Sequence, residues 1–104
     1  MIYELRIYRF HPGAKEKFLE NFKKARSFMK KYGITLVAAW ENLEREDEFI
    51  WIRSFPSTKA RDKATEAYYS SPEWLKIVDD IRPTIRRREV RIMKALPNSA
   101  PRPR

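Results

Sequence analysis

The sequence predicts an α+β domain of ferredoxin-like β-α-β-β-α-β order, with an extra short helix before the last strand and a four-stranded antiparallel sheet. Three observations predict it: a length of 104 residues, which suits one domain; four segments with strand character; and two longer segments with apolar residues at helical spacing. Residues 2–43 and 47–96 are each a strand–helix–strand unit. We assign the domain to residues 1–96 and a disordered tail, rich in proline and arginine, to residues 97–104.

Alternation of side-chain character predicts the first strand over Ile2–Phe10. Since one face of such a strand packs on the core, we expect Leu5 and Ile7 to face the helices. The opposite, open face of the sheet would then carry Glu4, Arg6, Tyr8 and Phe10.

Apolar residues at three- and four-residue spacing predict the first helix over residues 14–32. The stripe consists of Phe18, Phe22, Ala25, Met29 and Tyr32. Gly33 is the expected end, because glycine adopts the left-handed conformation that closes a helix at least steric cost.

Runs of β-branched and aromatic residues predict the second and third strands over residues 34–40 and 49–55, joined by a charged turn. Ser57 or Thr58 is the expected N-cap of the second long helix, because a hydroxyl accepts a hydrogen bond from the first turn.

The extra short helix is predicted to begin at Ser71-Pro72, since serine caps a helix and proline suits its first position. Pro83 interrupts it, and the last strand is expected over residues 88–96. The residues expected to face inward are Trp74, Leu75, Val78 and Ile81 in the helix, and Val90 and Ile92 in the strand.

The chain has no cysteine and a single histidine, His11. This excludes disulfide scaffolds, iron–sulfur clusters and cysteine nucleophiles, and it leaves too few ligands for a zinc cage. We therefore expect no metal and no cofactor. With no apolar run long enough to span a bilayer and with charges near its start, the chain is expected to be cytoplasmic and not to enter a membrane.

The formal net charge of +9 suggests an anionic partner. The RNA recognition motif has this element order and stacks bases on aromatic residues of its third strand, a spacing that Phe49 and Trp51 reproduce. Acidic residues 46–48 lie just before this pair and would repel phosphate, so nucleic acid is not an expected partner.

The third strand is apolar on both sides, as in a strand that is buried on both faces. Because large exposed aromatic areas are unusual in a monomer, we expect a second copy of the chain to cover the open face in a two-fold homodimer. The expected interface residues are Glu4, Arg6, Tyr8, Glu89 and Arg91.

Two candidate sites remain. His11 at the end of the first strand and Arg53 in the third strand are candidate catalytic residues, the first as a base and the second as a partner for an anionic group. An aromatic set suited to a small hydrophobic or anionic aromatic ligand consists of Trp40, Trp51, Tyr68, Tyr69 and Trp74, with Arg53 beside it. The alternative is that the tryptophans only fill the core and that Arg53 pairs with a carboxylate across the dimer.

Eight short segments carry a family resemblance over nearly the whole chain. They are Tyr3-Glu4-Leu5-Arg6-Ile7-Tyr8, Pro12-Gly13, Gly33, Trp40, Trp51-Ile52-Arg53-Ser54-Phe55, Ala60-Arg61, Ser71-Pro72-Glu73-Trp74 and Arg82-Pro83. In these segments the sequence resembles the NIPSNAP domain. The resemblance implies a dimeric α+β barrel, in which the sheets of two ferredoxin-like subunits close on each other across a two-fold axis.

The resemblance implies no catalytic residues. The wider superfamily includes cofactor-free monooxygenases, haem enzymes and isomerases that use the cleft between sheet and helices. The chain departs from the usual pattern at residues 44–47, where family members often have glycine and asparagine. The leading hypothesis is a homodimer that binds or processes a small hydrophobic metabolite in this cleft, and the alternatives are a structural or adaptor dimer and a cofactor-independent monooxygenase or isomerase.

Overall fold

The computed structural model describes residues 1–99 and shows a four-stranded antiparallel sheet with the helices packed on one face. The sheet order is β2-β3-β1-β4, which is the ferredoxin-like order that the sequence predicts. The strands are β1 (Ile2–Phe10), β2 (Thr35–Glu41), β3 (Glu48–Phe55) and β4 (Ile85–Lys94). The helices are α1 (Lys15–Ser27), α2 (Thr58–Tyr69), α3 (Pro72–Leu75) and α4 (Val78–Ile81), with 3₁₀ turns at Lys30–Tyr32 and Arg82–Thr84.

The inward face of β1 is the opposite of the predicted one. Glu4, Arg6, Tyr8 and Phe10 are buried on the helix side, whereas Leu5 and Ile7 lie on the outer face of the sheet. The prediction was wrong because it assigned charged residues to the open side. Here the charges of Glu4 and Arg6 are paired inside the protein, and buried charges occur where such partners exist.

The outer face of the sheet is mainly apolar. The strand register groups its members opposite one another: Leu5 pairs with Ile52 and Arg91, and Ile7 pairs with Ile50 and Glu89. Trp40 pairs with Ile50 and is 49% exposed. Glu89 and Arg91 are thus on the outer face, as predicted from the sequence.

The first helix is shorter than predicted. α1 ends at Ser27, and the chain continues through Phe28 into a 3₁₀ turn that ends at Gly33. Gly33 has φ of 91° and donates its backbone N–H to the carbonyl of Lys30, which confirms it as the terminating residue.

Both predicted helix caps are present. The side chain of Ser57 accepts a hydrogen bond from the backbone N–H of Ala60, and that of Ser71 accepts one from Trp74. The predicted short helix is divided into α3 and α4. The inward orientation predicted for Leu75 is wrong, because the break ends the continuous helical stripe and leaves this side chain 60% exposed.

The last strand begins at Ile85, three residues before the predicted start, and ends at Lys94. Val90 and Ile92 lie on the inward side as predicted, although Ile92 is exposed at the edge of the sheet. Of the tail predicted to be disordered, residues 97–98 form a turn that the backbone N–H of Ser99 closes by donating to the carbonyl of Leu96. Residues 100–104 lie outside the described residues. Within residues 1–99, no helix has the length and apolar character needed to cross a membrane.

Candidate functional site

A cavity of about 30 Å³ lies between the inward face of the sheet and the helices. Its wall combines aromatic rings from both layers with two arginines and a few aliphatic side chains. The lining residues are Tyr8, Phe18, Phe22, Ala25, Met29, Trp51, Tyr68, Tyr69, Trp74, Ile81, Arg82, Ile85 and Arg88. This set contains no carboxylate and no histidine, so among the described residues only tyrosine offers an acid–base group to the cavity.

Aromatic contacts fix the shape of the cavity wall. The Tyr69 and Trp74 rings meet edge to face with centroids 5.0 Å apart, and the Phe22 and Trp51 rings do the same at 5.2 Å. The hydroxyl of Tyr68 donates a hydrogen bond to the carbonyl oxygen of Ala25 at 2.9 Å, which ties α2 to α1. The rings are thus held in place by their own contacts.

Trp51 supplies an unpaired polar group to this apolar surrounding. The side chain lies on the inward face of β3 and is 2% exposed, and its buried Nε1 has no hydrogen-bond partner among the described residues. A buried donor without an acceptor is uncommon in folded proteins and costs about 1–3 kcal/mol.

A buried charge network borders the cavity. The carboxylate of Glu4, at 0% exposure, accepts hydrogen bonds from Nη1 of Arg6 at 2.6 Å, from Nε of Arg53 and from Nε of Arg61. Burial alone would raise the pKa of Glu4, but the nearby guanidinium groups of Arg53, Arg6 and Arg61 lower it to about 2. Three guanidinium groups around one carboxylate give these four residues a net charge of +2, and the exposed Asp62, 3.2 Å from Arg61, balances part of it.

Two tyrosine hydroxyls connect the network to the cavity. Tyr8 accepts a hydrogen bond from Nε of Arg6 at 2.7 Å, and Tyr69 accepts one from Nη1 of Arg53 at 3.0 Å. Burial raises the pKa of Tyr8, although Arg6 acts in the opposite direction. Tyr8 therefore remains a protonated phenol at neutral pH.

The rest of the cavity lining includes two exposed arginines, Arg82 and Arg88. The guanidinium of Arg82 lies 5.9 Å from the centroid of the Trp74 ring, a cation–π arrangement. A ligand that enters past these side chains meets positive charge before it reaches the aromatic wall.

The structure brings together part of the predicted ligand-binding set. Four of the five predicted aromatic residues line the cavity, namely Trp51, Tyr68, Tyr69 and Trp74. Trp40 lies away from it and borders a separate groove between β2 and α1. Arg53 is 1% exposed and is held by Glu4 and Tyr69 of its own chain, so it contributes to the site through Tyr69.

The predicted pair of catalytic candidates does not meet at the cavity. His11 is exposed in the loop after β1, where its backbone N–H donates to the carbonyl of Thr84, and its side chain is not part of the cavity lining. Sequence reasoning also missed Tyr8 and Arg6 as part of this site. The motif in which charged and aromatic residues alternate from Glu4 to Tyr8 contained the signal, but it was assigned to the other face.

The predicted dimer interface is only partly accessible. Glu4, Arg6 and Tyr8 belong to the buried network and cannot touch a partner across the outer face. Glu89 and Arg91 lie on the outer face, with their side chains 3.4 Å apart. An interface on this face would have the apolar residues of β1 and β3 at its centre.

The residues that can coordinate a metal are dispersed. Within residues 1–99, no three His, Asp or Glu side chains come close enough together to hold an ion.

Comparison with known proteins finds a matching family and structures of the same fold. The family model described as NIPSNAP matches residues 3–100. Among curated proteins, none matches the sequence. A NIPSNAP family protein with unknown function from Agrobacterium tumefaciens is 28% identical, with a TM-score of 0.86 over 95% of this chain and 91% of that one.

More distant structures share the fold. An uncharacterized NIPSNAP domain protein from Burkholderia xenovorans is 17% identical, with a TM-score of 0.85 over 97% of this chain and 100% of that one. An antibiotic biosynthesis monooxygenase is also 17% identical, with a TM-score of 0.72 over 93% of this chain and 100% of that one. At these identities the similarity shows the fold alone.

Proposed function

The chain belongs to the NIPSNAP family, and on that premise we propose that it binds a small hydrophobic or aromatic metabolite in the cavity between the sheet and the helices. The observation that carries the proposal is the buried Nε1 of Trp51, which lacks an acceptor although its side chain lines the cavity. A ligand oxygen in the cavity would accept this hydrogen bond and remove the cost of the unpaired donor.

The composition of the wall supports an aromatic ligand. Binding sites for small organic molecules are mostly apolar and contain a few polar groups that set orientation. The cavity itself has room for about two water molecules. A ring therefore enters only when side chains of the lining move, and Arg82 and Arg88 are the exposed charged side chains of that lining.

Processing of the ligand is the enzymatic form of this proposal. In this form the chain would carry out cofactor-independent oxygenation or isomerisation, and a protein of the same fold is named as an antibiotic biosynthesis monooxygenase. With His11 outside the cavity, the hydroxyls of Tyr8 and Tyr69 would have to move any proton. The non-enzymatic alternative is a structural or adaptor dimer in which the aromatic side chains only pack the core and bind no ligand.

Homodimerisation and a cytoplasmic location belong to the same proposal. The outer face of the sheet presents Leu5, Ile7, Ile50 and Ile52 beside the exposed Trp40, an apolar surface of the kind that a second copy covers. The lack of cysteine means that the chain needs no oxidising compartment to fold.

Native mass spectrometry of freshly purified protein tests for a retained organic molecule, and calorimetric titration with para-nitroanisole, an uncharged aromatic ether, tests the cavity directly. We expect Trp51→Phe to weaken binding of the ether about fivefold or more, because the hydrogen-bond donor is lost. Trp40→Phe is the matched control and should bind as the unmodified protein does. Absence of both a retained molecule and ether binding contradicts the proposal.

A further inference from the structure

Three hydrogen-bond donors around the cavity have no acceptor within residues 1–99. They are Nε1–H of Trp51 and the hydroxyl hydrogens of Tyr8 and Tyr69. An arginine can only donate, so the bonds from Arg6 and Arg53 occupy a lone pair of each tyrosine oxygen and leave its proton available.

The three residues that carry these donors are close neighbours. The Tyr8 and Trp51 ring centroids are 6.0 Å apart. The guanidinium of Arg53 lies 5.4 Å from the centroid of Trp51 and 5.7 Å from that of Tyr69. One face of the cavity is thus rich in donors, and the lining has no anionic side chain to use them.

The buried network behind this face strengthens the donors. Glu4 fixes the guanidinium groups of Arg6 and Arg53, and each of these donates to a tyrosine oxygen. A hydroxyl that accepts a charged hydrogen bond becomes a better donor in turn, because hydrogen bonds in a chain polarise one another. The net positive charge of the network acts in the same direction.

We infer that this face is an oxyanion-binding site that takes the ionised oxygen of a planar phenol or enol, with Tyr8, Tyr69 and Trp51 as the donors. Glu4, Arg6 and Arg53 are positioning residues that act through the two tyrosines. The inference rests on the proposed function, since it names the ligand class of the same cavity. Preorganised donors of this kind stabilise negative charge on oxygen most effectively in a site that excludes water.

The protonation states agree with this assignment. Burial raises the pKa of Tyr8, so its hydroxyl keeps its proton while the ligand gives up its own. The cavity lining has no carboxylate or histidine to receive that proton, which therefore passes to solvent. The guanidinium groups of Arg82 and Arg88 favour entry of the anion.

Titration of bound para-nitrophenol tests the inference, because its phenol and phenolate forms absorb at different wavelengths and it ionises near neutral pH. We expect the unmodified protein to bind the phenolate and to lower the apparent pKa of the bound phenol by about one unit or more. Tyr69→Phe, a change at a half-buried position, should reverse most of this shift and weaken phenolate binding about tenfold. Tyr8→Phe should act in the same direction.

Tyr32→Phe is the matched control. This change also removes a tyrosine hydroxyl, but Tyr32 bonds Glu73 and lies outside the cavity lining, so the spectroscopic shift should persist. Circular dichroism establishes that each variant is folded. If Tyr8→Phe does not fold, Tyr69→Phe decides.

Four outcomes would overturn the inference. If the bound phenol has an unchanged or raised pKa, or if para-nitroanisole binds as tightly as the phenolate, the cavity is merely apolar and the proposed function survives alone. If Tyr8→Phe and Tyr69→Phe lower the pKa of the bound phenol as much as the unmodified protein does, the tyrosines are not the donors. If neither compound binds, the inference and the proposed function fail together.

Discussion

Glu4 of β1 and Arg53 of β3 are register partners on neighbouring strands and form a hydrogen-bonded ion pair that is almost completely shielded from solvent. Because they are 49 positions apart in sequence, the pair joins the two strand–helix–strand halves of the chain. Arg61 reaches the same carboxylate from α2, so a single glutamate connects three elements.

Loss of the Glu4 charge should destabilise the fold. In Glu4→Gln, three guanidinium groups lose their common counter-charge, and breaking a buried ion pair on one side costs about 3–5 kcal/mol. The free energy of unfolding from urea or guanidinium titration measures the effect. Glu48→Gln is the matched control, because Glu48 pairs with Arg9 at 3.3 Å in a less buried position and should cost about 1 kcal/mol or less. Equal costs for the two variants would contradict this prediction.

The stability of the protein should depend on pH in the acid range through the same residue. The pKa of Glu4 is about 2 in the folded protein, against 4.5 for an unperturbed glutamate. Between these values the unfolded chain binds more protons, so the free energy of unfolding falls as the pH is lowered from 4.5 to 2 and is independent of Glu4 above that window.

Unfolding titrations at several pH values across this window measure the slope. Glu73, which is held by Lys31 and Tyr32, has a pKa of about 2 and contributes in the same direction. Glu73→Gln should therefore retain the part of the slope that comes from Glu4, and Glu4→Gln should remove it. A slope unaffected by Glu4→Gln would show that Glu4 does not ionise as described.

The sequence predicted the order of the elements well because each depends on local chemistry. Ser57 and Ser71 cap their helices, and Gly33 closes the first helical segment, since these residues act on the backbone beside them. The break between α3 and α4 was not predicted, because the apolar spacing from Trp74 to Ile81 is also compatible with one continuous helix.

The inward face of β1 depended on distant residues and was therefore missed. Leu5 and Ile7 compete with Tyr8 and Phe10 for the core, and hydrophobicity alone does not decide between them. The decision comes from Arg53 and Arg61, which make burial of Glu4 possible from far along the chain. Trp51, Tyr68 and Trp74 were predicted as site residues from their aromatic character. Tyr8 was missed because the predicted orientation of β1 placed it on the opposite face of the sheet.

The cap of α2 offers a test of local stabilisation. Ser57→Ala should lower the free energy of unfolding by about 1 kcal/mol, because the backbone N–H of Ala60 loses its acceptor. Ser57→Gly is the matched control. It should lower the free energy of unfolding by only a few tenths of a kcal/mol, since glycine is a tolerated N-cap residue. Chemical denaturation compares the three proteins, and an alanine variant as stable as the glycine variant would contradict the role of the cap.

The outer face of the sheet should control oligomeric state. Ile52 lies at its centre, between Leu5 on β1 and Ala38 on β2, so Ile52→Lys places a charge in the middle of the proposed interface. We expect the unmodified protein to be a dimer and this variant to be a folded monomer, because an unpaired charge in an apolar interface is costly to desolvate. Light scattering after size-exclusion chromatography gives the masses.

Leu75→Lys is the matched control for this change. Leu75 is exposed on α3, away from the sheet, and its substitution should leave the dimer intact. A monomeric unmodified protein, or a variant Ile52→Lys that remains dimeric, would show that the outer face is not the contact between copies. Because the cavity lies on the opposite side of the sheet, the Ile52→Lys monomer should still bind the aromatic probes, which separates the assembly of the protein from its ligand site.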